Sequence, residues 1–182
     1  MLEFNFSPFP ALETPRLFLR RIDKYDVDQI FTLRSDAENM KFIPRPLLKN
    51  HKEAKKQIIL GDQQIDLNLG INWALTLKPN KELIGIIGFY RTKPAHFRSE
   101  IGYMIFPKFR GKGLVSEAIK VVVKFGFNVM KLHSIEALID PDNIASEKVL
   151  QKNGFVKEGY LKENEFFDGK FLDTVIYSRL KK

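Results

Sequence analysis

Hydrophobic and polar positions along this chain change rhythm several times. "RLFLRRI" (16–22) alternates apolar and basic residues and predicts a first strand. Asp23 is placed to cap a short helix carrying Val27, Ile30 and Phe31 on one face. "FIPRPLL" (42–48) reads as a proline-broken loop, and Asn50 with Glu53 makes a capping-box pattern that opens a helix from 51 to about 60. "GINWALTL" (70–77) and "LIGIIGFYR" (83–91) are strands joined by the turn "KPNKE", and "SEIGYMIF" (99–106) is the next strand. After "PKFRGKG" the period changes to that of a helix over about 114–130, with Glu117, Lys120, Lys124, Asn128 and Lys131 on its polar face. "SIEALI" (134–139) is a strand. "DPDN" then leads into a helix from about 144 to 153, which Gly154 ends as a left-handed cap. The tail reads as two strands around the tight turn Asp168-Gly169. Hairpin-like strands, then strand–helix–strand–helix, then a closing hairpin predict an α+β fold with one mixed sheet covered by helices.

Composition narrows the setting. The 182 residues, 44% of them hydrophobic, fit a single domain over 1–182, with no repeat, linker or low-complexity tract. The absence of cysteine excludes a disulfide framework, a thiolate nucleophile and a zinc ribbon, and it fits a reducing compartment. The first residues lack the basic and apolar parts of a signal peptide, and no apolar run is long enough to span a bilayer. The expectation is a soluble, cytoplasmic chain with no membrane partner. A net charge of +8 fits solubility alone, a polyanionic partner or an anionic small molecule. Nucleic acid is disfavoured, because there is no zinc-finger spacing, no basic region with heptads and no aromatic RNA-binding signature.

"KFRGKGLVSEA" (108–118) sets two glycines among basic residues at the start of a helix. A Walker-type loop fails for want of the upstream glycine, and a dinucleotide fingerprint would need a third glycine where Ser116 stands. A turn that binds nothing remains the plain alternative. The whole segment is better suited to an anion: free backbone N–H groups at a helix N-terminus, approachable because glycine has no β-carbon, with Lys108, Arg110 and Lys112 at the rim.

The chain resembles the GNAT superfamily of acyl-CoA-dependent N-acetyltransferases, most closely the branch of Rim-type ribosomal-protein N-terminal acetyltransferases. The resemblance runs from "LETPRLFLRRI" through "EIGYMIFPKFRGKGLVSEAI" and "DPDNIASEKVLQKNGF" to "DGKFLDTVIYS". Lys108 stands at the first position of the signature Q/R-x-x-G-x-G/A, a departure that keeps charge there. The resemblance implies a GNAT-like, mostly antiparallel sheet of about seven strands with about four helices. In that fold a central parallel pair splays apart, and acyl-CoA lies in the gap. It implies that the amides of Arg110, Gly111, Lys112, Gly113, Leu114 and Val115 hold the CoA pyrophosphate, and that Ser116 adds a hydroxyl unless it is first-turn filler. Backbone at Met104, Ile105 and Phe106 would pair with the pantetheine arm. Asn143, an N-cap on its own reading, would also touch pantetheine. Ser146 is a candidate acid for the leaving thiolate, or an ordinary helix serine.

The resemblance also implies Glu100 as the candidate base, the alternative being a carboxylate paired with a nearby cation such as Arg98; Glu136 is its rival. Tyr103 and Tyr177 read better as buried structural tyrosines. His51, His96 and His133 have no metal-ligand spacing, and an acetyl thioester needs no metal. An α-amine, with a pKa near ~7.7–8, is far more often neutral at pH 7 than a lysine at ~10.4, which suits a site with one modest carboxylate. An amide near Ile105 would stabilise the oxyanion. The expected acceptor is therefore a peptide or protein N-terminus, with a small amine as the alternative. A CoA-sensing module without turnover is the contrasting class, and a homodimer stays open. The acceptor surface falls to the loops 42–50, 61–70 and 92–98 and the turn 164–169. There Glu163, Glu165 and Asp168 either steer a basic peptide or simply solvate a hairpin tip.

Overall fold

The structure, a computed structural model, describes residues 2–182. In chain order the elements are β1 (Leu12–Glu13), β2 (Leu17–Arg20), α1 (Val27–Ser35), α2 (Ala37–Met40), α3 (His51–Asp66), β3 (Ile71–Leu77) and β4 (Leu83–Lys93). They continue with β5 (Arg98–Ile105), α4 (Leu114–Asn128), β6 (Ser134–Ile139), α5 (Ile144–Lys152), β7 (Val156–Phe167) and β8 (Lys170–Leu180). The eight strands form one sheet in the order β1-β2-β3-β4-β5-β6-β8-β7. Only β5 and β6 run parallel; their register, Arg98↔Ser134, Ser99↔Ile135 and Glu100↔Glu136, stops there although both strands continue.

The eighth strand, beyond the seven expected, is β1. It is two residues long and pairs Leu12 with Leu19, and a run so short has no period to read. A fifth helix, α2, is equally short and is capped by Asp36, whose side chain accepts from Asn39 N–H at 2.7 Å. Helix α3 continues past 60 to Asp66, because Ile58 and Ile65, two turns apart, both bury on its inner face. Its cap is displaced from the simple box. Asn50 Oδ1 accepts from Glu53 N–H at 3.0 Å, but the Glu53 carboxylate reaches Lys49 N–H. Gly154 (φ +76°) does end α5, and Asp168 (φ +49°) with Gly169 (φ +77°) makes the β7–β8 turn.

Both faces of the central strands are covered, which is why β3, β4 and β5 read as nearly continuous apolar runs. On one face Ile87, Phe89, Ile101 and Ile105 pack with α4 and with Leu150 of α5. On the other, Ala74, Ile86 and Met104 pack with Ile30 and Leu33 of α1 and Ala54 and Ile58 of α3. The outer strand β7 is exposed along most of its length, and its Lys and Glu side chains discourage edge-to-edge pairing. Among the described residues no helix is long and apolar enough to cross a membrane.

Candidate active site

Where β5 and β6 part, the sheet opens into a cavity of about 1200 Å³. Alternation along β5 sends its side chains to opposite faces of the sheet. Glu100, Gly102 and Met104 lie on the α1–α3 face with Tyr90, which pairs with Glu100 across β4–β5. Tyr103 lies on the α4–α5 face, where its hydroxyl and Ser146 Oγ share a hydrogen bond of 2.7 Å. All of these line the one cavity, so a molecule in the gap meets a carboxylate from one side and a hydroxyl pair from the other.

The free edge of β5 follows from its pairing. Phe106 N–H donates to Ile84 O at 3.0 Å, and Phe106 O accepts from Phe109 N–H at 2.9 Å. Both backbone groups of Phe106 are therefore committed, which removes it from the set expected to meet pantetheine. In an antiparallel ladder successive residues face alternate neighbours, so Met104 turns toward β4 and Ile105 turns its N–H and C=O into the gap. Ile105 is thus the member of the trio whose backbone groups face away from β4 without a partner in the sheet, while Met104 is the one that lines the cavity.

The glycine segment follows a 3₁₀ turn, Pro107–Phe109. Arg110 N–H closes that turn on Pro107 O at 3.0 Å, so its amide is also lost to the expected anion cradle; its side chain donates to Asn39 Oδ1 at 2.9 Å. Gly111 (φ +72°) and Gly113 (φ +74°) take left-handed conformations that cost other residues about 1–2 kcal/mol. A β-carbon on Gly111 would meet nothing within 4 Å, so the space above the loop is open to an approaching group. The first helical bond of α4 runs from Glu117 N–H to Gly113 O, leaving the N–H groups of Leu114, Val115 and Ser116 at the open helix end. Lys108 and Lys112 hold their ammonium groups 5.2 and 5.6 Å from the Phe109 ring centroid, at the rim. The Ser116 hydroxyl does not face this opening. It is buried and accepts from Asn153 Nδ2 at 2.9 Å, tying α4 to the end of α5.

Asn143 caps α5, its Oδ1 accepting from Ser146 N–H at 3.1 Å, and it also lines the cavity. Glu100 is ion-paired, but with Arg91 at 2.6 Å rather than with Arg98. A bulge after Tyr90, with Arg91 at φ +46°, turns that arginine toward Glu100. Burial raises the Glu100 pKa above the usual carboxylate value; Arg91 opposes this, Glu136 reinforces it and Arg45 opposes it more weakly. Glu136 is buried, bonded by Arg98 and absent from the cavity lining, so it acts on Glu100 through its charge. Burial pushes the Tyr103 phenol up to about 12, which keeps its proton on at neutral pH. Tyr177 is buried and donates to Glu147 Oε1 on α5, away from the cavity. Arg34, Arg45, Tyr90, Arg91 and Asn72 complete the α1–α3 side of the cavity. No motif joins these residues, and only the folded sheet brings them together.

Residues 16–156 match the family profile described as an acetyltransferase (GNAT) domain. An uncharacterized N-acetyltransferase of Bacillus subtilis, YoaA, is 38% identical over 95% of this chain and 98% of its own. From Escherichia coli, a ribosomal-protein-serine acetyltransferase is 33% identical over 54% of this chain and 55% of its own, and a spermidine N(1)-acetyltransferase is 29% identical over 52% and 50%. The crystal structure of a GNAT-family acetyltransferase from Bacillus anthracis superposes with a TM-score of 0.83 at 29% identity, covering 94% of this chain and 98% of that one. Glycine loop, splayed strands and relatives agree: this chain belongs to the GNAT acetyltransferase family and is an acetyl-CoA-dependent N-acetyltransferase.

Proposed function

We propose that the chain, as a single domain, transfers the acetyl group of acetyl-CoA to the N-terminal α-amine of a peptide or protein. The observation that carries the reading is the gap itself. β5 leaves β6 at Glu100, and there a carboxylate, an unpaired strand edge and a hydroxyl pair converge on one cavity. The amides from Gly111 to Ser116 are suited to the CoA pyrophosphate, with Lys108 and Lys112 beside them. The pantetheine arm would lie along β5 at Ile105 and past Asn143.

In this arrangement the amine enters from the α1–α3 face. Its nitrogen bonds to the thioester carbonyl carbon, and the carbon–sulfur bond then breaks. Glu100 takes the proton the amine loses, directly or through water. Ile105 N–H, turned into the gap, is placed to hold the negative oxygen, a contribution worth about 3 kcal/mol in comparable sites. Ser146, backed by the protonated Tyr103, offers a proton to the departing thiolate. That need is modest, since a free thiol has a pKa near ~8.5.

Two features support an α-amine as acceptor. The base is one ion-paired carboxylate, which suits an amine that is already partly neutral at pH 7. On the α1–α3 side of the cavity Arg34, Lys41 and Arg45 stand beside the mutually paired Arg91 and Glu100, a local cationic excess that disfavours a polyamine there, although Asp140, Glu165, Asp168 and Asp173 line the rest. The ribosomal-protein-serine acetyltransferase among the relatives fits this reading, whereas the spermidine enzyme represents the rival. An acceptor screen read by mass tests it, using peptides with varied first residues, free amino acids, polyamines and aminoglycosides. Acetylation of peptide α-amines with a first-residue preference is expected. Activity confined to small free amines overturns the acceptor assignment.

A further inference from the structure

The chain has nine arginines. The guanidinium of seven has a partner: Arg16 with Glu117, Arg20 with Asp26, Arg21 with Asp62 and Asp66, Arg91 with Glu100, Arg98 with Glu136, Arg110 with Asn39 and Arg179 with the backbone carbonyl of Asn153. Among the described residues the remaining two, Arg34 and Arg45, have neither an ion pair nor a hydrogen bond from the side chain, and both line the cavity. Arg34 sits in the last turn of α1 and is half-buried. Burial and the like charge of Arg45 hold its pKa below the ordinary guanidinium value, with the Tyr90 phenol opposing them. A guanidinium withdrawn from water without a carboxylate is costly, and a fork of N–H donors left open toward a cavity suits an anionic oxygen pair.

This open cation lies next to the proposed base. Tyr90 is paired with Glu100 across β4–β5 and lies within electrostatic reach of both Glu100 and Arg34. Arg45 likewise acts on both Glu100 and Arg34. Arg34, Arg45, Tyr90 and Glu100 all line this cavity, so a group held by Arg34 and Arg45 would share it with an amine held at Glu100. Resting on the acceptor reading above, we propose that the acceptor carries a carboxylate close to its amine, and that Arg34, with Arg45 and the Tyr90 hydroxyl, receives it. Two sources share that chemistry: an acidic side chain at the first or second residue of a peptide, and the α-carboxylate of a free amino acid. A polyamine has no such group.

Matched acceptor pairs separate these cases. Peptides with Asp or Glu at the first or second position are compared with their Asn or Gln counterparts, and free amino acids with their amides, by thiol release under kcat/KM conditions. Wild-type enzyme should prefer the carboxylate member on the order of ten-fold or more, the usual scale for a charged hydrogen bond. Arg34→Gln should bring that ratio near one, mainly through KM, and Arg34→Lys should keep part of it. Calorimetric CoA affinity at the wild-type level confirms that each variant is folded. Equal use of both members by wild type, or a ratio that survives in Arg34→Gln, overturns the proposal. If peptides fail while free amino acids retain the carboxylate preference, the peptide reading falls and this inference stands. If peptides are acetylated without the preference, the reverse holds.

Discussion

At the scale of single residues the site turns on Glu100, whose proton affinity is set by opposing neighbours. Burial favours the protonated form and Arg91 favours the ionised one. As the proposed base Glu100 works only when ionised, so activity should fall as pH drops through its raised pKa. Removing Arg91 removes the main opposition and should lift that pKa further. Arg91→Met should therefore move the acid limb of kcat/KM to higher pH, while Glu100→Gln should lower turnover with CoA affinity kept. Stopped or steady-state thiol release across pH reads both. An acid limb that stays in place in Arg91→Met, or normal turnover in Glu100→Gln beside a crippled Glu136→Gln, would move the base to Glu136. Sequence alone exposed Glu100 as a carboxylate on the strand feeding the glycine loop. It did not reveal the partner, because Arg91 reaches Glu100 only through a bulge and a left-handed backbone.

At the scale of elements, the segment from Pro107 into α4 is a device for presenting bare backbone. A 3₁₀ turn uses up the amides of Phe109 and Arg110, and two left-handed glycines then swing the chain into a helix whose first amides point outward. Gly111→Val or Gly113→Val adds a β-carbon where φ is positive and, at Gly111, in the open space that the proposed phosphate would use. Each should abolish CoA binding in calorimetry while circular dichroism still reports the fold. Unchanged affinity in both would remove the phosphate role from the loop. Alternation and periodicity placed this helix and the strand before it almost to the residue. The commitment of the Phe106, Arg110 and Ser116 groups depended on neighbours the local pattern does not name.

At the scale of the whole molecule, the β1–β2 turn is tied through Thr14 and Arg16 to the N-terminal end of α4. Glu117 accepts from Arg16 N–H at 3.0 Å, from Arg16 Nε at 2.7 Å and from the Thr14 hydroxyl, while Arg16 also donates to Lys112 O at 3.0 Å. Partial burial alone would raise the Glu117 pKa, but these bonds outweigh it and hold it below the usual value. A carboxylate with a lowered folded-state pKa adds stability above its unfolded pKa and loses it as pH falls through the folded one. Glu117→Gln should therefore cost about 1–3 kcal/mol at neutral pH, and the gap from wild type in thermal unfolding should narrow in acid. A gap that is constant with pH would mean the carboxylate charge is not what binds the β1–β2 turn to α4.

The sequence by itself determined the order of the strands and helices other than the short β1 and α2, the caps at Asn50 and Asn143, the left-handed stop at Gly154, the β7–β8 turn and the glycine loop. Each of these depends on residues close together in the chain, where periodicity and backbone preference act directly. Only the tertiary structure decided what meets in the gap. It stopped the β5–β6 pairing at Glu100, set Tyr103 against Ser146, committed both backbone groups of Phe106, and left Arg34 and Arg45 facing the cavity without partners. Those outcomes depend on which strands are neighbours and where they diverge, and the alternation of a single strand is the same whichever neighbour it pairs with.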